Sequence, residues 1–202
     1  MNFRAQDLSA QAAYQLLVGA ITPRPIAWIT SLSATGVLNL APYSFFTVAS
    51  CYPPVLSVTQ VNPRDRLEKD TLHNLRTTGE CVVNIVSREL AEQMNASCAE
   101  YPADVSEVDA LAIVTAPSLQ VKPAGIAAAG VRYECTLREL KPIGEGPMAG
   151  TMMFLDVVAI YVNDAVVVDE KISPDLLNTI GKMGGDEYTT TATRFSLARP
   201  VL

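Results

Sequence analysis

The feature that most constrains the fold of this chain is a period-two alternation of apolar and polar residues. Over residues 131–137 the odd positions are apolar and the even positions are polar, which is typical of a strand with one face in a core and one in water. We predict further strands over residues 25–32, 37–40, 45–49, 55–61 and 81–86. The longest predicted strand, residues 151–162, is apolar on both faces apart from Asp156, so we expect it to be covered on both sides.

Helical patterns are fewer and shorter than strand patterns. Residues 9–19 offer an apolar face, and Asp70 is expected to cap a helix that Gly79 ends. Further helices are predicted over residues 87–98 and 174–183. Six or more antiparallel strands with inserted helices predict a mainly β fold, a closed or partly closed antiparallel β-barrel. Because the 202 residues contain no linker, we expect a single domain over residues 1–202.

Composition argues against several classes of function. The formal net charge of -6 and the lack of a Lys/Arg stripe argue against a nucleic-acid partner. Asn and Pro residues interrupt the most apolar stretch, so no membrane span is predicted, and the polar first residues predict a cytoplasmic protein. Four widely spaced cysteines predict reduced core thiols, and the single histidine, His73, argues against a metal site.

Two segments in the first quarter of the chain suit a bound ligand. In residues 22–31, two prolines hold Arg24 in a stiff, extended strand entry that suits a phosphate; the alternative is an edge strand with a solvated arginine. In residues 39–46, small and polar residues alternate with aromatic ones, which suits the edge of a flat heteroaromatic ring. The alternative there is a turn that leads into a core strand.

A third segment, residues 62–74, combines basic residues with a helix start. Arg64, Arg66 and Lys69 precede the predicted helix. Free amides at the helix start, the positive end of the helix dipole and the Thr71 hydroxyl together make an anion site. Acidic residues within the same run indicate a solvated loop instead, so both interpretations stay open.

Motifs for other chemistries do not occur in the sequence. GxSxG, GxGxxG and GxxxxGK[ST] are all missing, and no acid–base pair stands out. We therefore predict no catalytic side chain. This is compatible with a protein whose bound cofactor carries the chemistry while the chain positions it.

Taken together and in this order, the segments resemble the flavin reductase-like family of the FMN-binding split-barrel fold. The resemblance runs through most of the chain and is carried by residues 22–31, 39–46, Lys69-Asp70-Thr71 with Asn74, 79–84, and Met183-Gly184-Gly185 with Tyr188. Cys81 stands where the family commonly has an aromatic residue. The fold that the resemblance implies is an antiparallel split β-barrel, mainly β with inserted helices.

The resemblance also implies a cofactor and its site. FMN, in preference to FAD, would place its isoalloxazine ring against residues 27–30 and 39–44 and its phosphate beside Lys69 and Thr71. The implied cofactor-binding residues are Arg24, Ala27, Trp28, Thr30, Ser31, Asn39, Leu40, Ala41, Pro42, Tyr43, Ser44, Lys69, Asp70, Thr71 and Tyr188. Family members are usually homodimers with the flavin near the interface, so Tyr188 is expected to reach across it.

The implied activity is that of an NAD(P)H:flavin oxidoreductase. Such a protein transfers hydride to flavin N5 and passes the electrons to free flavin, oxygen or a partner oxygenase. Two-component flavin reductases often carry a Gly-Asp-His-type segment and a C-terminal histidine near the nicotinamide, and this chain has neither. An FMN-dependent electron carrier similar to flavoredoxin, reduced by a protein partner, therefore stays open.

Overall fold

The structure, a computed structural model, describes residues 1–63 and 68–201. Its strands are β1 (Ala27–Leu32), β2 (Leu38–Tyr43), β3 (Phe46–Cys51), β4 (Pro54–Val61), β5 (Glu80–Ile85), β6 (Thr115–Ala116), β7 (Gly125–Ile126), β8 (Val131–Pro142), β9 (Gly150–Val162), β10 (Val167–Val168), β11 (Lys171–Ile172), β12 (Ile180–Lys182) and β13 (Tyr188–Thr190). Its α-helices are α1 (Ala10–Ala20), α2 (Asp70–Thr78), α3 (Ala91–Ala96), α4 (Glu107–Ala110) and α5 (Pro174–Leu177). Single 3-10 turns occupy Ala5–Asp7, Arg88–Leu90 and Asp164–Val166.

Seven antiparallel strands form the main sheet, in the order β2-β1-β5-β8-β9-β4-β3. The consecutive strands β2 and β3 lie at opposite edges of this sheet, although only Ser44 and Phe45 join them. A two-residue connection spans at most about 11 Å, so the two edges must come together. The Thr59 amide of β4 donates to the Phe45 carbonyl at 2.7 Å, so the pairing of β3 with β4 continues into this short connection. The sheet is therefore curled into a barrel, which confirms the predicted mainly β fold.

The two faces of the sheet belong to two different hydrophobic cores. Successive side chains of a strand point to opposite faces, and β1 shows this directly. Ala27 and Ile29 belong to the core inside the barrel, whereas Trp28 belongs to a second core on the outer face, beneath α3 and α4. Strand β1 is consequently buried on both sides, and the layer formed by α3 and α4 lies beside β2.

Strand β9 departs from its prediction in its second half. Strand β4 pairs with β9 only as far as the Val55–Asp156 pair. Beyond this point Val158 and Ile160 are 44% and 56% exposed. The expectation that the strand is covered on both sides is therefore wrong for this half, because the neighbouring strand β4 ends before it.

Two predicted helices also differ from the structure. Asp70 is the first residue of α2 and not its cap; Lys69 holds the N-cap position, and Gly79 ends the helix in the left-handed region as predicted. The helix predicted over residues 174–183 ends at Leu177, because Asn178 adopts a left-handed conformation and the following residues pair with β13. Among the helices of the described residues, none has the length and hydropathy needed to cross a bilayer.

Candidate functional site

A cavity of about 180 Å³ lies between β2, the start of α2 and the chain that follows α3. Six of the predicted site residues line it: Asn39, Ala41, Pro42, Lys69, Asp70 and Thr71. The fold thus joins residues from two segments that lie about 30 positions apart in the sequence. The predicted ring-binding segment and the predicted anion site line the same cavity.

The start of α2 supplies the positive end of this cavity. Lys69 adopts an extended backbone (φ -85°, ψ 159°) at the N-cap, and its own side chain makes no capping hydrogen bond. The first amides of an α-helix have no partner within the helix and carry its positive dipole end. Together with the Lys69 ammonium, these amides favour an anion such as a phosphate, although the Asp70 carboxylate partly opposes it.

A buried polar network holds the two sides of the cavity together. The Asn39 amide nitrogen Nδ2 donates to Thr71 Oγ1 at 2.9 Å and so links β2 to α2. Behind them, the Asn74 amide donates to Ser31 Oγ at 3.1 Å. Ser31 is fully buried, so its hydroxyl supports the network from behind and does not face the cavity as the resemblance implied.

A second depression of about 350 Å³ adjoins the cavity. Pro42, Pro63 and Lys69 line both spaces, so the two are continuous around the Lys69 side chain. Tyr43 and Ser44 lie in this second part. Small-molecule sites typically measure about 300–1,000 Å³, and the joined space falls in that range.

Arg24 does not lie at the cavity. Its Nη1 donates to the carbonyl oxygens of Val18 and Ile21, both at 2.8 Å, and its Nη2 donates to that of Met183 at 2.9 Å. Arg24 is only 6% exposed. The Nε of Arg24 also donates to Ser44 Oγ, at 3.4 Å. Because these bonds already occupy the guanidinium, the cavity does not support a phosphate role for Arg24, and that role stays a prediction.

Four further predicted residues are buried behind the site. Ala27, Trp28, Thr30 and Leu40 are all fully buried. The Trp28 indole donates to Ser97 Oγ at 2.9 Å, and the Thr30 hydroxyl donates to the Val82 carbonyl. Their side chains therefore pack beneath the site and do not reach the cavity, with Trp28 supporting its wall through Ser97.

Tyr188 lies outside the cavity of its own chain. Its hydroxyl donates to Asn95 Oδ1 at 3.3 Å, and its ring lies under the Lys182 ammonium, 4.1 Å from the ring centre. Burial raises the pKa of the Tyr188 phenol, and burial lowers the pKa of Lys182. Tyr188 would therefore contact a ligand only in the cavity of a second subunit, as the resemblance implies.

The sequence analysis did not predict two parts of the cavity. Residues 97–101 form a wall after α3, and Glu107 of α4 also lines the cavity. Glu107 is 7% exposed, and its Oε2 accepts a hydrogen bond from the Leu40 amide at 2.8 Å. Burial raises the pKa of Glu107, with a smaller contribution from Asp70, while the backbone hydrogen bonds lower it. In the sequence, the one feature that could have indicated Glu107 was the Ser106-Glu107 pair at a helix start.

Other predicted residues lie elsewhere. Arg64 and Arg66 fall outside the described residues. His73 is on the exposed side of α2, where its Nδ1 lies 3.1 Å from Glu68 Oε1. The sole histidine of the chain therefore does not approach the cavity.

Comparisons with known proteins show the family and the fold of this chain. The family described as flavin reductase like domain matches residues 19–181. BH2278 of Halalkalibacterium halodurans is 34% identical over 100% of this chain and 98% of its own length.

Two solved structures have closely similar folds. Nitrilotriacetate monooxygenase component B from Bacillus cereus is 30% identical, with a TM-score of 0.92 over 98% of each chain. The 2-nitrobenzoate 2-nitroreductase NbaA of Pseudomonas fluorescens is 29% identical, with a TM-score of 0.88 over 99% of this chain and 96% of its own. These similarities confirm the predicted antiparallel split β-barrel.

Proposed function

Because this chain belongs to the flavin reductase like domain family, we propose that it is an FMN-binding oxidoreductase that uses NAD(P)H as its hydride donor. The observation that carries the proposal is the joining of Lys69 and the start of α2 with the Asn39–Pro42 stretch of β2 in one cavity. A flavin mononucleotide needs an anion site at one end and a flat, partly apolar surface at the other, and this cavity offers both.

The phosphate of FMN fits the start of α2. In this proposal the Lys69 ammonium and the first amides of α2 hold the phosphate, and the Thr71 hydroxyl adds a donor. Thr71 accepts from Asn39 at 2.9 Å, which leaves its own proton free to point to an oxygen in the cavity. Asp70 opposes the phosphate charge, so the affinity depends on Lys69.

The ring of FMN fits the opposite side. Ala41 and Pro42 on β2 present small, apolar surfaces, and Ala99 does the same on the facing wall. Such surfaces exclude water from the faces of a flat ring. When bound, FMN supplies the two-electron chemistry, and the chain contributes binding and orientation. The proposal accordingly names no catalytic side chain.

Partners belong to the same proposal. Component B of a monooxygenase shares the fold and 30% of the residues, which supports a partner oxygenase as the acceptor of the electrons. A homodimer is also proposed, with the exposed apolar residues of β9 as the contact surface. The cytoplasmic location and the single domain stay predictions.

A second candidate is an FMN electron carrier that is reduced by a protein. It is favoured by the position of His73, which pairs with Glu68 on the exposed side of α2. The nicotinamide-side histidine of the two-component reductases therefore has no counterpart at this cavity. The flavin site is the same in both candidates, and only the electron donor differs.

The visible absorbance spectrum of the purified protein, recorded without oxygen after addition of FMN, separates these candidates. We expect a bound flavin whose absorbance bleaches within seconds of adding NADH or NADPH. A bound flavin that neither nicotinamide bleaches, but a reduced ferredoxin-type protein does, would assign the carrier function. A protein that does not bind FMN at all would contradict both.

A further inference from the structure

Strand β2 is an edge strand, and two side chains at the start of α4 make hydrogen bonds with its open side. The Ser106 hydroxyl donates to the Leu38 carbonyl at 2.7 Å, and the Leu40 amide donates to Glu107 Oε2 at 2.8 Å. Two consecutive side chains thus replace the hydrogen bonds that a neighbouring strand would make. Because both residues are buried, these bonds fix the position of β2 between residues 38 and 40.

The same stretch of β2 forms the ring side of the cavity. Asn39, Ala41 and Pro42 line the cavity, and Glu107 lines it as well. The Asn39 side chain is bonded to Thr71, so this stretch is held from α2 and α4 together. A shift of Leu40 would therefore move the backbone against which the ring is proposed to lie.

Glu107 also decides which backbone groups this edge offers to a ligand. The N–H and C=O of one strand residue point to the same side, so the Leu40 carbonyl faces the open edge as its amide does. Glu107 occupies that amide, and Pro42 has no N–H. Between residues 40 and 42, the part of the open edge that the structure describes therefore offers hydrogen-bond acceptors, which suit an N–H donor of the ligand.

The charges around Glu107 come from three elements. Lys69 and Asp70 face the cavity from α2, Cys98, Glu100 and Tyr101 face it from the wall, and Asp109 lies on α4 itself. Among these groups, Asp70 already raises the pKa of Glu107 in addition to burial. A phosphate at the start of α2 would add negative charge beside Asp70, in the same direction.

We propose that Glu107 is a positioning residue of the flavin site, which holds the cavity-facing edge of β2 in place and takes up a proton when FMN binds. This inference rests on the proposed function. The proton comes from solvent and is added to Oε1, so that Oε2 keeps its bond from the Leu40 amide. No bond to FMN is formed or broken in this step.

The test compares FMN affinity across pH in the whole protein. Trp28 is the sole tryptophan and donates to Ser97 in the cavity wall, so quenching of its fluorescence reports FMN binding. The dissociation constant is measured between about pH 5 and pH 8.5 for wild type, Glu107→Gln and Glu107→Ala. Asp109→Asn is the matched control, because it removes an exposed carboxylate from the same helix.

We expect wild type and Glu107→Gln to bind FMN equally at low pH and to diverge as pH rises, with wild type weaker. Each unit by which bound FMN raises the Glu107 pKa corresponds to about tenfold in this ratio. At low pH, where Glu107 is already protonated in the free protein, Glu107→Ala should bind FMN more weakly than wild type, because it frees the Leu40 amide. Asp109→Asn should follow wild type throughout.

Two results would overturn the inference. One is a wild type to Glu107→Gln ratio that stays constant with pH, and the other is a Glu107→Ala variant that folds and binds FMN as wild type does. If Glu107→Ala does not fold, titration calorimetry in two buffers measures the number of protons taken up when FMN binds. Wild type should take up more protons than Glu107→Gln, and equal uptake would contradict the proposal. A wild type that does not bind FMN would contradict the proposed function, and this result differs from the two results above.

Discussion

Lys69 and Arg24 show how differently two predicted phosphate ligands are used. Lys69 stands at the start of α2 and lines the cavity. Arg24 is buried and bonded to three backbone carbonyls at the ends of α1 and β12. The sequence shows both charges but not the carbonyls that already occupy one of them, because those come from residues up to 159 positions away.

Replacement of Lys69 by alanine should weaken FMN binding about 10- to 100-fold, since a charge-assisted hydrogen bond contributes roughly 1.5–3 kcal/mol. Riboflavin, which lacks the phosphate, should bind the variant as it binds wild type. Isothermal titration with both ligands measures this, with Lys122→Ala, an exposed lysine away from the cavity, as the control. Equal losses for FMN and riboflavin would show that Lys69 does not hold the phosphate.

Glu107 should also make the stability of the ligand-free protein depend on pH. Burial raises its pKa in the folded state, so the folded state binds the proton more tightly than the unfolded state does. This contribution is present at low pH and is lost as pH rises from the unfolded to the folded pKa. The free energy of unfolding of Glu107→Gln relative to wild type should therefore increase over that window, as urea denaturation at several pH values would measure. A difference independent of pH would contradict the assignment.

Among the secondary-structure elements, the long strands could be predicted from the sequence, whereas the short elements and loops could not. The seven strands of the main sheet lie where alternation or an apolar run predicted them, because most of these strands present one or both faces to a core. The wall at residues 97–101 has no periodicity, since its place depends on Trp28 and on α3. Residues 180–182 looked helical but pair with β13, because a tertiary partner outweighs local preference.

Arg24 joins two elements that are far apart in the sequence. Its side chain bonds the end of α1 and the chain after β12, and its backbone pairs with Lys182. Arg24→Met should lower the free energy of unfolding by roughly 2–4 kcal/mol, because several hydrogen bonds from a charged donor are lost. FMN affinity of the folded variant should stay within about twofold of wild type, against a loss of 10-fold or more for a phosphate ligand.

Urea denaturation and FMN titration measure the two quantities. Arg138→Met is the control, because Arg138 makes an exposed ion pair with Asp156, and such pairs contribute less than about 1 kcal/mol. An Arg24 variant of normal stability with weak FMN binding would restore Arg24 to the phosphate site.

At the scale of the whole molecule, the barrel leaves an apolar surface open to solvent. The second half of β9 extends past the end of β4, and Val158 and Ile160 of this half are exposed. Exposed apolar patches on an edge of a sheet are typical of protein interfaces. The acidic net charge of -6 is no obstacle to such a contact, because these side chains are uncharged.

We therefore predict that sedimentation finds about twice the chain mass of 21.7 kDa at micromolar concentration. Ile160→Asp should shift the protein to the monomer, because it places a charge in the apolar contact. Val114→Asp, at another exposed apolar position, should leave the dimer intact. A monomeric wild type, or two variants with the same mass, would contradict this interface.

A crystal structure of the protein grown with FMN would show most directly where FMN binds. We predict the phosphate beside Lys69 and Thr71 and the ring along Asn39–Pro42, in the cavity that these residues line. FMN bound at any other surface, or a cavity that stays empty at saturating FMN, would contradict the proposed FMN site.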